Sequence, residues 1–192
     1  MVEVTKEYKF VGPSTENPKP TLIDLFGPHK QLIIYHFMFN PNNDEGCSSC
    51  SLHADNIGHI EHLHSRDTAL VCVSRAPIEK IEAFRKRMGW KFPWVSSYES
   101  DFNYDYHVTH DQNVAPPEYN FKPAENNGKD GPAESPGTSV FFRDGDKVYH
   151  TYSSYARGGE AQIATYSYLD ITPLGRQEKG TGIVNFKFHD RY

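Results

Sequence analysis

The sequence predicts an α/β fold in which a mixed central sheet carries helices on both faces. Three observations predict it: two nearly continuous apolar runs, a segment with helical periodicity after each run, and a later pair of β-rich runs around an Asp-Gly turn signal. Strands that alternate with crossover helices are parallel to their neighbours, whereas a two-residue turn joins antiparallel strands. A mixed sheet accommodates both kinds of connection.

The first half of the chain carries the parallel part of this sheet. Residues 31–39 form an apolar run bounded by turn residues, and "TALVCVS" forms a second, as expected of strands buried on both faces. Between them, apolar residues recur near helical spacing through residues 47–64, with one interrupting glycine. The clearest helix has Pro77 in its first turn and Gly89 as its cap. "FPWVSSY" is a third strand, which either starts at its proline or lies at an edge.

We expect a single thioredoxin-like, three-layer domain over residues 1–192, since the chain is long enough for one filled core and short for two. Residues 1–27 are a lead-in that ends in a helical turn, and residues 111–137 are a long loop rich in Pro, Gly and Asn. "TSVFFRDGDKVYHTY" predicts the hairpin and "EAQIATYSYL" a final helix. Residues 177–192 are a tail, in which the alternation of "GIVNFKF" predicts a strand.

Composition excludes several classes of function. A net charge of −5 and the lack of a basic stripe give no reason to expect nucleic acid or an anionic membrane as a partner. The longest apolar run, "LIIYHFMF", is far shorter than the roughly 20 residues that span a bilayer, and the polar start is not typical of a signal peptide. Three cysteines do not make a disulfide framework. We therefore expect a globular cytoplasmic protein.

The stretch "DEGCSSCSLHAD" places Cys47 and Cys50 one helical turn apart behind a buried strand. A Cys-x-x-Cys pair in a βαβ setting indicates a redox dithiol. Three residues of helix bring two Cα atoms to roughly 5 Å, a separation that a disulfide accepts. Cys47 lies where the helix begins, and the unpaired N–H groups there favour a thiolate. Cys50 lies one turn inside the helix and suits the resolving role.

Two other interpretations of the pair stay open, a zinc site and two inert thiols. Zinc normally takes four ligands, and the chain offers no second Cys-x-x-Cys, although Cys72 and a histidine would complete a set. Cys72 lies in the middle of an apolar strand, where a free cysteine usually packs. Asp44 and Glu45 precede Cys47, and like charge disfavours a thiolate, so we expect a redox pair poised toward the reducing end.

Three residues in or next to predicted strands are candidates to support the cysteine pair. His36 lies inside the first strand, near the base of the loop that leads to Cys47, and Arg75 follows the second strand at its carboxyl end. Thr138, just before "SVFF", is a third supporting candidate. His36 and Arg75 each have a simpler interpretation, as a hydrogen-bonded core histidine and a surface cation.

The histidine-rich segment 53–64 offers one arrangement for a metal. On a continuous helix, Asp55, His59 and His62 fall at i, i+4 and i+7 and would present a carboxylate and two imidazoles on one face. The glycine at position 58 weakens that helix, and a solvated polar face has the same pattern. We therefore expect no metal and leave the role of the cluster open.

The layout also resembles that of peroxiredoxins, whose signature Pro-x-x-x-Thr-x-x-Cys orients peroxide beside a thiolate. Here Asp44 stands at the threonine position before Cys47, and Pro41 is one residue out of register. Dithiol exchange is therefore favoured over peroxide reduction.

Four stretches carry a more specific resemblance: "LIIYHFMFNPNNDEGCSSCS", "VSRAPIEKIEAFRKRMGWKFPWVSSYESDFNYD", "SVFFRDGDKVYHTYSSYARG" and "YLDITPLGR". From about Tyr8 to Arg176 the chain resembles the thioredoxin-like domain-of-unknown-function family 899, whose members are described as predicted dithiol-disulfide oxidoreductases. The resemblance implies a thioredoxin-like fold with the dithiol at Cys47 and Cys50. In thioredoxins a cis-proline faces the dithiol, and Pro136 is the nearest candidate here.

Together these observations predict a thiol-disulfide oxidoreductase without a bound cofactor. Cys47 would attack the disulfide of a protein or a small molecule, Cys50 would resolve the mixed disulfide, and a dithiol donor would supply electrons. A redox-inactive thioredoxin-like binding module and a thiol peroxidase are the alternatives.

Overall fold

The structure, a computed structural model, describes residues 1–124, 127–180, 182–183 and 185–192. Its strands are β1 (Val2–Glu3), β2 (Gln31–His36), β3 (Thr68–Ser74), β4 (Trp94–Ser96), β5 (Thr109–His110), β6 (Glu118–Tyr119), β7 (Lys122–Pro123), β8 (Ala133–Glu134), β9 (Gly137–Asp144) and β10 (Lys147–Tyr155). Its α-helices are α1 (Ser48–Asp55), α2 (Glu61–His64), α3 (Ile78–Arg87), α4 (Phe102–Asp105) and α5 (Ala164–Asp170). Short 3₁₀ turns cover Asp24–Phe26, Ala156–Gln162 and His189–Arg191.

The central sheet is mixed, as predicted, with six strands in the order β1-β10-β9-β2-β3-β4. β2, β3 and β4 are parallel, and β9 and β10 form the antiparallel hairpin. The hairpin turns at Gly145, whose φ of +58° suits a residue without a side chain. β4 is the last strand of the sheet, in agreement with the position that its preceding proline predicts.

One side of the sheet carries Tyr35, Cys72 and Trp94, and we call it the cysteine face because Cys50 of α1 packs in the same buried cluster. α3 also packs there through an apolar stripe that includes Phe84. Aromatic rings dominate this cluster, so α1 begins against a densely packed and rigid support.

The other side of the sheet, which we call the opposite face, carries Ile34, Phe141 and the imidazole of His36. Phe102 of α4 and Tyr106 cover it. Because successive residues of a strand point to opposite faces, Tyr35 and His36 enter different layers although they are neighbours in sequence.

Several predicted elements differ from the observed ones. Residues 47–64 form two helices rather than one, because α1 ends at Asp55 and α2 begins at Glu61. The lead-in contributes β1, which extends the sheet at its edge. The "GIVNFKF" segment has no strand in its described residues 182–183 and 185–188, and Val184 lies outside the described part.

The segment 111–137 is less irregular than a plain loop. β6 pairs with β7 within it, and β8 returns to pair with β5 just before it. Glu125 and Asn126 of this segment lie outside the described residues. Among the helices of the described ranges, none is long and apolar enough to cross a membrane.

Candidate functional site

Cys47 forms the N-terminal cap of α1, as predicted. Its backbone N–H donates to the carbonyl of Met38, 3.0 Å away, at the end of the segment that follows β2. Its carbonyl accepts hydrogen bonds from both the N–H and the Oγ of Ser51, each at 2.9 Å. The residue is therefore held between the sheet and the first turn of the helix, and its sulfur lies beside N–H groups that have no partner within the helix.

The two thiols of the pair differ in charge. The pKa of Cys47 is lowered from its ordinary value of 9.0 to about 6, chiefly by a hydrogen bond from the thiol of Cys50 and also by donors at Cys50 and Ser49, while burial opposes the shift. Burial raises the pKa of Cys50 well above 9.0, and its hydrogen bond to Cys47 adds to the rise. Near neutral pH the pair thus combines a partly exposed thiolate with a buried thiol, which is only 2% exposed.

Contrary to the prediction, the acidic residues before Cys47 do not oppose the thiolate. Asp44, whose side chain is 96% exposed, lies 3.2 Å from the ammonium of Lys80. Glu45 pairs with the guanidinium groups of Arg87 and Arg191. The predicted influence of the acidic flank is wrong because cations from α3 and from the end of the chain compensate its charge. The acidic flank therefore no longer supports the prediction of a redox pair poised toward the reducing end.

A cavity of about 290 Å³ lies beside Cys50 and has mostly apolar walls. Five stretches of chain form it: β2 with the residues after it, α1, the segment before β9 with the start of β9, the end of β10 with the turn after it, and the tail. Its described lining residues are Tyr35, Met38, Ser49, Cys50, His53, Tyr119, Pro136, Gly137, Thr138, Ser154, Ala156, Arg157, Gly159, Ile163, Gly182 and Ile183. Cys50 therefore forms part of the wall of a small-molecule-sized space.

His53 is one of the residues in this wall that the sequence did not identify as part of a site. Its imidazole stacks on the ring of Tyr35, with the ring centroids 4.0 Å apart. Burial lowers the pKa of His53 from 6.5 to about 4, so the ring is neutral at physiological pH. Its position three residues after Cys50, on the same side of a helix, is the signal that would have identified it.

Tyr119 connects the 111–137 segment to the cavity. Its hydroxyl donates to the carbonyl of Pro136 and accepts the N–H of Ala156, both at 2.7 Å. Burial raises the pKa of Tyr119 to about 12, so the hydroxyl keeps its proton for the bond to Pro136. This single side chain fixes two strand ends that form one wall of the cavity.

The structure separates the three supporting candidates. Thr138 pairs with Tyr35 in the sheet register and lines the cavity. His36 lies on the opposite face, where Nε2 is 2.8 Å from Ser139 Oγ, so it is a hydrogen-bonded core histidine, as its simpler interpretation expects, and not a supporting residue of the dithiol. The reason is the alternation of side chains along β2. Arg75 is 3.1 Å from the buried carboxylate of Glu134 and is thus engaged away from the thiolate.

Pro136 lines the cavity with Cys50, but it does not reproduce the cis-proline of thioredoxins. No peptide bond within the described ranges is cis, the one before Pro136 included. The position of the proline matches the resemblance, whereas its backbone geometry does not.

The arrangement of Asp55, His59 and His62 that a continuous helix would offer to a metal does not form. Because α1 ends at Asp55, the side chains of His59 and His62 do not continue its helical face. Asp55 is instead hydrogen-bonded to Trp90 Nε1 and His189 Nδ1, each at 2.7 Å. Within the part of the chain that the structure describes, no group of three His, Cys, Asp or Glu side chains is arranged to hold a metal ion.

Comparisons with known proteins agree with the fold. The model of the family described as "Bacterial protein of unknown function (DUF899)" matches residues 1–192. Solved structures with a similar fold include peroxidoxin BcpB of Mycobacterium tuberculosis, at 13% identity and a TM-score of 0.52 over 86% of this chain and 96% of that one. Curated proteins give no significant match.

Two further structures share the fold. A PrxQ variant of Xylella fastidiosa has 11% identity and a TM-score of 0.51, covering 85% of this chain and 89% of that one. The bacterioferritin comigratory protein of Xanthomonas campestris has 15% identity and a TM-score of 0.50, covering 82% of this chain and 88% of that one. At these identities the likeness confirms the predicted thioredoxin-like α/β fold.

Proposed function

Because the chain belongs to the DUF899 family and has a thioredoxin-like fold, we propose that it is a thiol-disulfide oxidoreductase whose working dithiol is Cys47 and Cys50. One observation carries the proposal: a partly exposed cysteine with a pKa of about 6 is hydrogen-bonded to a second cysteine that burial keeps protonated. A nucleophile and a resolving thiol need this asymmetry.

The reaction proceeds in two exchanges. The Cys47 thiolate attacks one sulfur of a substrate disulfide, so a mixed disulfide forms while the other half leaves as a thiolate and takes a proton from solvent. Cys50 then loses its proton and attacks the sulfur of Cys47, which closes the Cys47–Cys50 disulfide and releases the second half as a thiol. The substrate gains two electrons, and a dithiol donor returns the pair to the reduced state.

A single-turnover experiment tests this proposal. The reduced protein, freed of reductant, is mixed with bis(2-hydroxyethyl) disulfide, and the cysteines are alkylated and weighed by mass spectrometry. We expect Cys47→Ser to lower the rate at least about 1,000-fold, since it removes the nucleophile. Cys50→Ser should accumulate the mixed disulfide on Cys47. Closure of a Cys47–Cys50 disulfide that does not depend on the substrate would contradict the proposal.

The rate of the first exchange should follow the thiolate fraction of Cys47. It should be half-maximal near pH 6 and flat above about pH 7.5, because the pKa of Cys47 is about 6. Cys72→Ala provides the control, since Cys72 is fully buried in β3 and burial raises its pKa. An unchanged rate and pH profile in that variant would assign the titration to Cys47.

Thiol peroxidase activity is the second candidate, and the low pKa of Cys47 favours it together with the shared fold of the peroxiredoxins. Against it, Asp44 stands where that chemistry needs a threonine, and its side chain points to Lys80 and solvent. Consumption of hydrogen peroxide that survives Cys50→Ser for one turnover would favour a peroxidase. A protein that reacts with neither substrate would be a binding module.

The remaining parts of the proposal follow from thiol chemistry. The protein works in the cytoplasm, where thiols are kept reduced, and its partners are a disulfide substrate and a dithiol donor. It acts as one unit over residues 1–192, because β1 completes the sheet and Ile183 of the tail contributes to the cavity beside the dithiol.

A further inference from the structure

The cavity beside Cys50 has features that select a substrate. Resting on the proposed oxidoreductase function, we propose that it receives one half of a small, uncharged organic disulfide, with the sulfur of that half at the Cys50 end. Protein disulfides and charged small disulfides would then be poor substrates. The size of the cavity and the charges around it support this inference independently.

The size of the cavity excludes large occupants. Its volume of about 290 Å³ lies at the lower end of the range for small-molecule sites. Such a space holds a short organic group and leaves no room for a folded segment of a second protein. The ring of Tyr35 and the side chains of Met38 and Ile163 give it apolar walls, which favour a hydrocarbon body.

The charges around the cavity argue against ionic substrates. Of the described lining residues, Arg157 is the charged one, and its guanidinium already pairs with Glu160 and, at 2.9 Å, with Glu178. His53 is neutral because it is buried. A carboxylate or an ammonium group in this cavity would therefore be desolvated without a counter-ion in reach among these residues, which costs much more than burying a hydroxyl.

The position of Cys50 connects the cavity to the chemistry. Because Cys50 is hydrogen-bonded to Cys47 and lines the cavity, a disulfide with one half inside it brings its sulfur atoms to the dithiol. Cys47 bonds to one substrate sulfur as the substrate S–S bond breaks. Cys50 then displaces that half from Cys47, so two thiols leave and the protein gains one disulfide.

Three disulfides with two-carbon halves test the charge selection on the unmodified protein: neutral bis(2-hydroxyethyl) disulfide, dicationic cystamine and dianionic dithiodiglycolate. Each single-turnover rate is divided by the rate of the same disulfide with dithiothreitol, which removes intrinsic reactivity. We expect the neutral compound to exceed both charged ones at least about tenfold, since an unpaired charge is desolvated in the cavity. Equal ratios, or a faster charged compound, would overturn the inference.

A cavity-filling variant tests the location. A Cβ added at Gly159 would lie at ordinary contact distances of 3.5–3.8 Å from Gln162 and His53, so the larger side chain of Gly159→Leu has room to enter the cavity. We expect the neutral disulfide to react about tenfold more slowly, while alkylation of Cys47 by iodoacetamide stays at the parent rate. Gly58→Leu is the matched control, because open space surrounds that position outside the cavity.

The outcomes separate the two proposals. If insulin disulfides react through Cys47 as fast as the neutral compound, and Gly159→Leu changes neither rate, the cavity is not the substrate site although the oxidoreductase function holds. If none of the disulfides oxidises the dithiol, both proposals fail.

Discussion

The two faces of the central sheet both bury titratable side chains, but on the cysteine face the pKa of Cys47 shifts toward the charged form. On the opposite face, burial lowers the pKa of His36 to about 3 and raises that of Tyr106. On the cysteine face, burial has the same effect on His53, which stays neutral, and on Cys72, whose pKa rises. Cys47 differs because hydrogen-bond donors surround its sulfur and outweigh burial. Burial alone therefore keeps these groups neutral, whereas donors to the charged form lower the pKa of Cys47.

The largest effect is expected from the two buried histidines, one on each face of the sheet. Each stays neutral when folded, whereas the unfolded chain protonates it below about pH 6.5. The unfolded state thus binds more protons, and the free energy of unfolding falls as the pH drops from 6.5 toward 4. At pH 4.5 each histidine costs about 2 kcal/mol of stability.

Urea unfolding at pH 7.5 and pH 4.5 measures the effect. His36→Leu and His53→Phe should each recover about 2 kcal/mol at the lower pH relative to the parent. His59→Gln is the control, because His59 is exposed and should change neither value. The two variants should differ in activity. His53→Phe should slow disulfide reduction, since His53 lines the cavity, and His36→Leu should not. Equal losses of activity would break the comparison.

A smaller effect is expected when the thiol donor to Cys47 is removed. Cys50→Ala deletes the largest cause of the lowered pKa, so the pKa of Cys47 should rise by at least about 1 unit, equivalent to about 1.4 kcal/mol. It should remain below 9, since backbone donors of the first helical turn persist. The pH dependence of iodoacetamide alkylation gives the value. Cys72→Ala should leave it unchanged, and an equal shift in both variants would contradict the assignment.

The smallest expected effect concerns the cations near the acidic flank. Arg87→Gln removes one of two partners of Glu45, and the freed negative charge should raise the pKa of Cys47 by roughly half a unit, because exposed charges are well screened. Arg85→Gln is the matched control on the same helix, since Arg85 pairs with Glu82 and not with the flank. A fall in the pKa of Cys47 in Arg87→Gln would show that the flank does not act through charge.

Local sequence signals predicted much of the fold. The apolar runs gave β2 and β3, Pro77 and Gly89 bounded α3, and the Asp-Gly signal gave the hairpin. The same reasoning located Cys47 at the start of α1. These predictions succeed because strand burial, helix caps and tight turns depend on residues that are close in sequence.

Site features that depend on distant residues were not predicted. The metal arrangement of Asp55 and His59 assumed a helix that the structure ends at Asp55. His36 was a supporting candidate because it lies near the base of the loop before Cys47 in the sequence, but the pleat of β2 turns it to the opposite face. The cavity forms between segments more than 100 residues apart, from Tyr35 to Ile183, and local sequence patterns do not predict which distant segments pack together.

The sequence by itself determined the order of the elements, the mixed sheet and the placement of two cysteines one turn apart, because backbone periodicity and turn chemistry act over a few residues. Only the tertiary structure decided how far the pKa values of the two cysteines separate, which charges compensate the acidic flank and what surrounds Cys50. Hydrogen bonds, ion pairs and burial act through space, so they depend on which distant segments the fold brings together.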